Sequence, residues 1–205
     1  MGAPLTTRII YWKIETPQAP WNPILDTPEA RGEAIERGAM FFTWASLSAP
    51  YSEENGHPEP HRWGDLPLDF DSKENVQQAQ NDLRLLSFVY LPKFYEIDPY
   101  DLQYFLSGGK GFHAIIPAKL INAQDGDPHL PLIYKDMVTR WKESLKLTTL
   151  DLSLYCMKRG KMFRIPNIKR MNGKYKVPLS VDEIIRAEAG DLIELGKAPR
   201  NLENY

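Results

Sequence analysis

The chain has 205 residues, 42% of them hydrophobic and 25% charged, with a formal net charge of −2 at pH 7. That length and composition suit one large domain or two small lobes sharing a cleft, and they exclude wholesale disorder. The single cysteine, Cys156, excludes an intrachain disulfide and a cysteine-rich zinc module, and fits a reduced, cytoplasmic setting.

No run approaches the ~20 apolar residues that a membrane span needs. The opening Met1-Gly2-Ala3-Pro4-Leu5-Thr6-Thr7-Arg8 lacks the charged-then-apolar pattern of a signal peptide. In chain order, Arg8–Ile14 and Met40–Ala45 read as strands. The proline-rich stretches Thr16–Pro28 and Ser48–Pro67, the latter with Pro50, Pro58 and Pro60, read as irregular connections. Acids collect over the next part of the chain: Glu53, Glu54, Glu59, Asp65, Asp69, Asp71 and Glu74. Leu66–Asp71 reads as a strand. Val76, Ala79, Leu83, Leu86 and Val89-Tyr90 then recur at helical spacing behind Asn75, a suitable cap.

Gln103–Leu106 and Phe112–Pro117 read as the arms of a hairpin. Ile133, Met137, Val138, Trp141 and Leu145 form a second helical stripe. Leu150–Tyr155, Lys161–Pro166 and Tyr175–Pro178 read as further strands, and Ser180-Val-Asp-Glu183 as a capping box opening a short helix. The fold class that follows is α+β (mixed α/β). The expected organisation is a single unit, with a sub-lobe over about residues 1–65 and a core over about 66–190. A tail or linker is expected over 191–205.

Alternation in Leu66-Pro-Leu-Asp-Phe-Asp71 puts Leu68 and Phe70 on one face, and Asp69 and Asp71 on the other. Two such carboxylates repel unless a cation lies between them, and hard divalent ions prefer an all-oxygen site. The pair alone is also what a solvated turn looks like. Leu150-Asp-Leu-Ser-Leu-Tyr155 repeats the pattern with Asp151, Ser153 and Tyr155 opposite the leucines; it is an acid facing a cleft or the polar side of a half-exposed sheet.

Between them, Ser107-Gly-Gly-Lys-Gly111 joins two apolar runs. Its glycines let backbone N–H groups approach an anion, Lys110 adds a point charge, and the Ser107 hydroxyl can donate. His113 follows on the outgoing arm, placed to donate to a phosphate oxygen. A Walker A loop is excluded, since its spacing is absent and a strand follows. Downstream, Lys158, Arg159, Lys161, Arg164, Lys169, Arg170, Lys174 and Lys176 run without an intervening acid, giving a local positive field or a solvated basic hairpin.

The order Asp69-x-Asp71, Ser107-Gly-Gly-Lys-Gly-Phe-His113, then Asp151, resembles the archaeo-eukaryotic primase superfamily, from about Asp65 to Leu179. The spacing of Ser107 and His113 is similar to that of the polymerase domains of bacterial end-joining ligases. Arg159-Gly-Lys-Met-Phe-Arg-Ile-Pro-Asn167 resembles the plasmid, phage and CRISPR-associated primase-polymerases, and so points to a prokaryotic, plasmid or phage context. The resemblance implies sheets with flanking helices around a central cleft, and a primase or DNA polymerase joining nucleoside triphosphates on a DNA template. It implies that Asp69, Asp71 and Asp151 ligate two Mg²⁺ or Mn²⁺ ions. By the same resemblance Ser107, Lys110 and His113 would clamp the triphosphate, with Arg164, Lys161 and Lys169 as further contacts to an NTP or dNTP. A helicase-like, zinc-binding or other partner domain would follow the tail.

Two other readings fit parts of the pattern. A metal-dependent nuclease uses clustered carboxylates but has no need of the phosphate clamp. A non-catalytic replication or repair module would bind nucleic acid on a degenerate primase fold, without the three acids. Trp63 and Tyr155 are the aromatics nearest the motifs; aromatics can stack on a template, but residues at such places are more often core, and neither is assigned that role.

Overall fold

In the computed structural model, which describes residues 7–16, 18–52 and 59–202, strands and helices build an α+β fold of two curled antiparallel sheets with flanking helices. The chain start at residues 1–6, Pro17, the acids Glu53 and Glu54 with Pro58, and residues 203–205 lie outside the described residues.

Strand β1 (Ile9–Lys13) pairs along one edge with β2 (Asn22–Leu25). Pro23 is accommodated because β2 is an edge strand and needs no ladder donor on its outer side. Helix α1 (Pro28–Glu36) follows, with the Thr27 side chain accepting from the Ala30 N–H at 3.2 Å. Neither β2 nor α1 is visible in the hydrophobic pattern. The strand is a short proline-bearing edge, and the helix buries only Ala34 among its residues.

The other edge of β1 receives β3 (Phe41–Thr43) and β4 (Ser46–Leu47) end to end. At the bend between them the Thr43 hydroxyl donates to the Ala45 carbonyl and accepts from the Tyr11 N–H, taking over the interrupted ladder. Strand β5 (Arg62–Trp63) pairs with β4. Arg62 is buried there, and its guanidinium donates to the carbonyls of Pro60, Pro128 and Met157 and to Glu59. One side chain therefore ties three loops together.

Strand β6 (Leu66–Asp71) begins the second sheet. Helix α2 (Val76–Arg84), capped by Asn75, runs on through a π-helical stretch at Leu85–Tyr90 into α3 (Leu91–Tyr95), so the expected helix continues past Tyr90. Strands β7 (Gln103–Leu106) and β8 (Gly111–Ile116) form the expected hairpin, and α4 (Leu130–Leu145) contains the second stripe.

The segment 150–155 departs from expectation. Only Leu150 bridges to Phe70. Asp151 then caps a 3-10 turn, Leu152–Leu154, rather than sitting within a strand. Its side chain accepts from the N–H of Ser153, the local competition for backbone donors that breaks strands at Asp and Ser.

Strand β9 (Met162–Arg164) returns to the first sheet and pairs with β3, whereas β10 (Val177–Leu179) joins β7. Helix α5 (Val181–Arg186) has the expected capping box of Ser180 and Glu183. Helix α6 (Ala189–Leu195) buries Leu192 in the main core, so residues 191–195 are helical rather than the start of a tail.

The sheets run β5-β4-β1-β3-β9, with β2 on the other edge of β1, and β10-β7-β8-β6. Alternation sorts the second sheet cleanly. Leu66, Leu68, Phe70, Phe112, Ala114 and Leu106 face the helices and join Leu83, Tyr134, Val138, Trp141 and Ile184 in the main core. The opposite face turns toward the first sheet, where Phe163 of β9 lies against the His113 ring at 4.6 Å between centroids. No helix among the described residues is long and apolar enough to cross a membrane.

Candidate functional site

The register of the second sheet lays out the site. Asp69 is the cross-strand partner of His113, and His113 that of Phe105; Asp71 is the partner of Gly111. On the other edge of β6 the N–H of Asp71 donates to Thr149 and the N–H of Asp151 donates to Asp69, placing Asp151 beside Asp69. Sequence alternation therefore identifies the correct face for Asp69 and Asp71. Asp151 reaches its place through the bridge at Leu150.

Each acid has a partner of its own. His113 Nε2 is 3.4 Å from Asp69 Oδ1, and Lys110 Nζ is 3.1 Å from Asp71 Oδ2. Asp151 accepts from both the N–H and the hydroxyl of Ser153, and that hydroxyl is contacted at 2.7 Å by Lys161 Nζ. Lys161 thus belongs to the Asp151 end of the site.

The loop between β7 and β8 is shaped by its glycines. Gly108 has φ +79°, and a Cβ there would meet the Tyr175 carbonyl oxygen at 2.6 Å. At Gly111 a Cβ would lie 2.0 Å from the Phe70 carbonyl oxygen, so only glycine lets β8 approach β6 beside Asp71. The Ser107 N–H donates to the Gly111 carbonyl, closing the turn.

A cavity of about 370 Å³ opens here. It is lined by Asp69, Asp71, Ser107, Lys110, His113 and Arg164, together with Arg170. Asp151, Lys161 and Lys169 do not line it. Lys169 is exposed, and its backbone bridges to Tyr175; Arg170, the next residue, is the one that turns inward, donating to the Gly108 carbonyl at 2.8 Å. Arg164 lies over the Phe41 ring and is held by Glu15 at 3.0 Å. Glu15 also contacts Arg170 at 3.8 Å and accepts from the Met171 N–H. One carboxylate thus aims two guanidinium groups at the cavity.

Lys176 is 1% exposed, with its ammonium 3.8 Å from the Phe163 ring centroid and 4.3 Å from that of Phe105, donating to the Arg164 carbonyl. Burial drives its pKa well below the ordinary lysine value; nearby Asp69 opposes this and Arg164 adds to it. Burial likewise lowers His113, helped by Lys176 and opposed by Asp69, so a neutral imidazole is favoured. Its Nδ1 is buried without a hydrogen-bond partner among the described residues. For Asp69 burial acts upward, but His113, Lys176 and Lys110 outweigh it and hold the carboxyl below its usual range. Tyr155 is buried, donates to the Pro67 carbonyl, and is raised by burial with help from Asp69 and Asp151; it is a core residue, not a stacking surface.

Glu15, Arg170 and Lys176 are the site residues that sequence reasoning missed as such. Arg170 and Lys176 stand in the basic run, but nothing in a run of cations says which one turns inward. The only hint at Lys176 is a lysine entering a short apolar strand. Glu15, two residues past β1, carries no signal at all.

The donor set of Asp69, Asp71 and Asp151 is all carboxylate oxygen, the chemistry that suits a hard divalent ion. Among the described residues, however, no group of three His, Cys, Asp or Glu side chains is gathered closely enough to hold one. In this arrangement Lys110 balances the charge of Asp71, the His113 ring stands against Asp69, and Asp151 is turned to its own Ser153.

No family model matches the chain, and no curated protein matches it. Among solved structures it is similar to the polymerase domain of Mycobacterium tuberculosis ligase D in complex with DNA. The identity is 15% and the TM-score 0.47, over 95% of this chain and 71% of that one. At that similarity neither fold lineage nor chemistry carries over.

Proposed function

We propose that the chain is a template-directed nucleotidyltransferase that binds a nucleoside triphosphate in the cavity beside β6 and joins it to a primer or initiating nucleotide on a nucleic-acid template. The observation that carries this reading is the meeting of two opposite chemistries in one cavity. Asp69 and Asp71 form one wall, and Ser107, Lys110, His113, Arg164 and Arg170 form the others. A hydrolytic metal site has use for the acids alone; a triphosphate has use for both walls.

In this reading Asp69, Asp71 and Asp151 hold Mg²⁺ or Mn²⁺, with Asp151 turning from Ser153 to do so. Such ions, when bound, supply charge neutralisation and acidify an attacking hydroxyl. Lys110 moves from Asp71 to the β- and γ-phosphates. Arg164 and Arg170, pre-aimed by Glu15, bind the same oxygens, and His113 donates through one ring nitrogen. Catalysis then rests on positioning and electrostatics, with no covalent intermediate on the protein. Lys161 serves the Asp151 end, and Lys169 a strand outside the cavity. The two sheets act as the lobes of one catalytic unit, with β9 crossing between them.

The test is a labelled primer–template incubated with ribo- or deoxyribonucleotides in Mg²⁺ and in Mn²⁺. Wild-type protein lengthens the primer, whereas Asp69→Ala and Asp71→Ala do not. Extension by both variants at the wild-type rate, or products that only shorten, would overturn the assignment.

A further inference from the structure

The cavity beside the acids has a larger neighbour on the same sheet face. This neighbour, about 740 Å³, lies one cross-strand row further along, where Pro67, Ile115 and Gln103 follow Asp69, His113 and Phe105. Phe163 and Arg164 line both cavities, so the two are neighbours across a partition of those side chains. We infer that this larger cavity is the seat of a single-stranded nucleic-acid template, held one or two nucleotides from the triphosphate; the inference rests on the function proposed above.

Its walls carry the chemistry of such a strand. Arg8, Arg31 and Lys119 stand along it, together with Arg164 and Lys176, against the carboxylates Asp26 and Asp65. Asp26 pairs with Arg31 at 2.6 Å and Arg164 with Glu15 at 3.0 Å, which leaves the exposed cations Arg8 and Lys119 against Asp65, whose carboxylate accepts from the Ala118 N–H at 2.8 Å. The balance is positive, as phosphates require.

Trp44, Trp63 and Phe42 supply ring surface. The Arg8 guanidinium lies 4.5 Å from the Trp63 ring centroid, and Arg31 5.1 Å from that of Phe42. Cations laid over aromatic rings form the sequence-tolerant platform on which bases stack while phosphates are neutralised. A free mononucleotide would use the same chemistry. The position favours a strand, because a base seated here continues directly past Phe163 toward the triphosphate cavity.

The experiment uses the full chain, a fluorescent oligothymidylate of about 12 nucleotides, and the double variant Arg8→Ala/Lys119→Ala. Both side chains are exposed and neither lines the smaller cavity, so folding and triphosphate binding are unaffected; thermal unfolding and calorimetry check this. Oligonucleotide affinity by anisotropy falls about tenfold, and the slope of log affinity against log salt shrinks by about 1.4, from ~0.7 per lost phosphate contact. Trp63→Phe keeps a ring and most of the affinity, but loses part of the tryptophan quenching that the oligonucleotide causes.

Wild-type affinity and slope in the double variant would overturn the inference. So would loss of oligonucleotide binding in Lys110→Ala, which would place the strand in the smaller cavity. Both results leave primer extension by wild-type protein, and hence the proposed function, standing. Conversely, intact cavity-dependent oligonucleotide binding without any nucleotide incorporation sinks the proposed function and leaves this site in place.

Discussion

The backbone N–H of Asp151 donates to the carbonyl of Asp69 at 2.8 Å, so the two acids are neighbours across a strand pairing only a few residues long. Segment 149–151 is the short outer edge of the second sheet. Lys142 Nζ of α4 ties it by donating to the Leu150 carbonyl, and it has a second anchor. Asp82 of α2 provides it by accepting from the N–H groups of Thr148 and Thr149, at 2.8 and 2.9 Å, and from the Thr149 hydroxyl.

Replacing Asp82 with Ala therefore strands the buried N–H and hydroxyl of Thr149 and frees the partly buried N–H of Thr148. The cost is about 3 kcal/mol, from losing hydrogen bonds to a charged acceptor and leaving their donors unmet. Urea unfolding measures it. Asp82→Asn, which can still accept, should lose less. Wild-type stability of the Ala variant would show that segment 149–151 is held by its pairing with β6 and by Lys142.

Lys176 makes stability depend on alkaline pH. Burial lowers its folded-state pKa below the ordinary 10.5, so the unfolded chain binds its proton more tightly. The penalty is absent above the unfolded-state value, grows as pH falls, and is complete below the folded-state value. Stability should therefore rise with pH through the window below 10.5, with a slope of up to about 1.4 kcal/mol per pH unit from this group. Lys176→Met keeps the packing on Phe105 and Phe163 and removes the slope. Parallel pH profiles for the two proteins, from chemical unfolding between neutral and alkaline pH, would contradict this.

The sheet that carries the acids was legible because its strands obey period two. Leu66–Asp71 and Gln103–Leu106 fall where alternation puts them, and with them the facing of Asp69, Asp71 and His113. Helix α4 was legible from its stripe and α5 from its capping box. What escaped was short, polar or closed by tertiary contacts. Helix α1 has almost no apolar face, β2 is a proline-bearing edge, and the turn after Leu150 is set by the Asp151 side chain competing for its own backbone. The Glu15–Arg164 pair spans 149 positions, a separation at which pairing leaves no local trace.

Gly111 offers a test of how tightly β8 must approach β6. An added Cβ would sit 2.0 Å from the Phe70 carbonyl oxygen, a backbone atom that cannot step aside without breaking the ladder. Gly111→Ala should cost about 3 kcal/mol or more, at the upper end of overpacking penalties. It should also remove nucleotide binding in the fraction that remains folded, because Asp71 and Lys110 flank the displaced pairing. A variant with unchanged Tm and nucleotide affinity would mean that the loop relaxes freely.

Arg170 and Glu15 separate a nucleotide clamp from a structural ion-pair cluster. If Arg170 binds triphosphate oxygens, Arg170→Ala raises the nucleotide KM about tenfold, the loss of one charge-assisted bond of about 1.4 kcal/mol. Glu15→Gln keeps a hydrogen-bond acceptor but removes the charge that holds Arg164 and Arg170 in place. Its effect should fall in the same direction and be smaller, because both guanidinium groups survive and lose only their aim. Maximal rate changes less than KM in both variants, since neither residue touches the acid row; Lys110→Ala should lower both, because Lys110 also neutralises Asp71. Steady-state extension kinetics on one primer–template, with nucleotide varied, decides among these outcomes. Unchanged KM in Arg170→Ala, with stability lowered, would assign Arg170 to holding the loop at Gly108 and leave the triphosphate to Arg164, Lys110, Ser107 and His113.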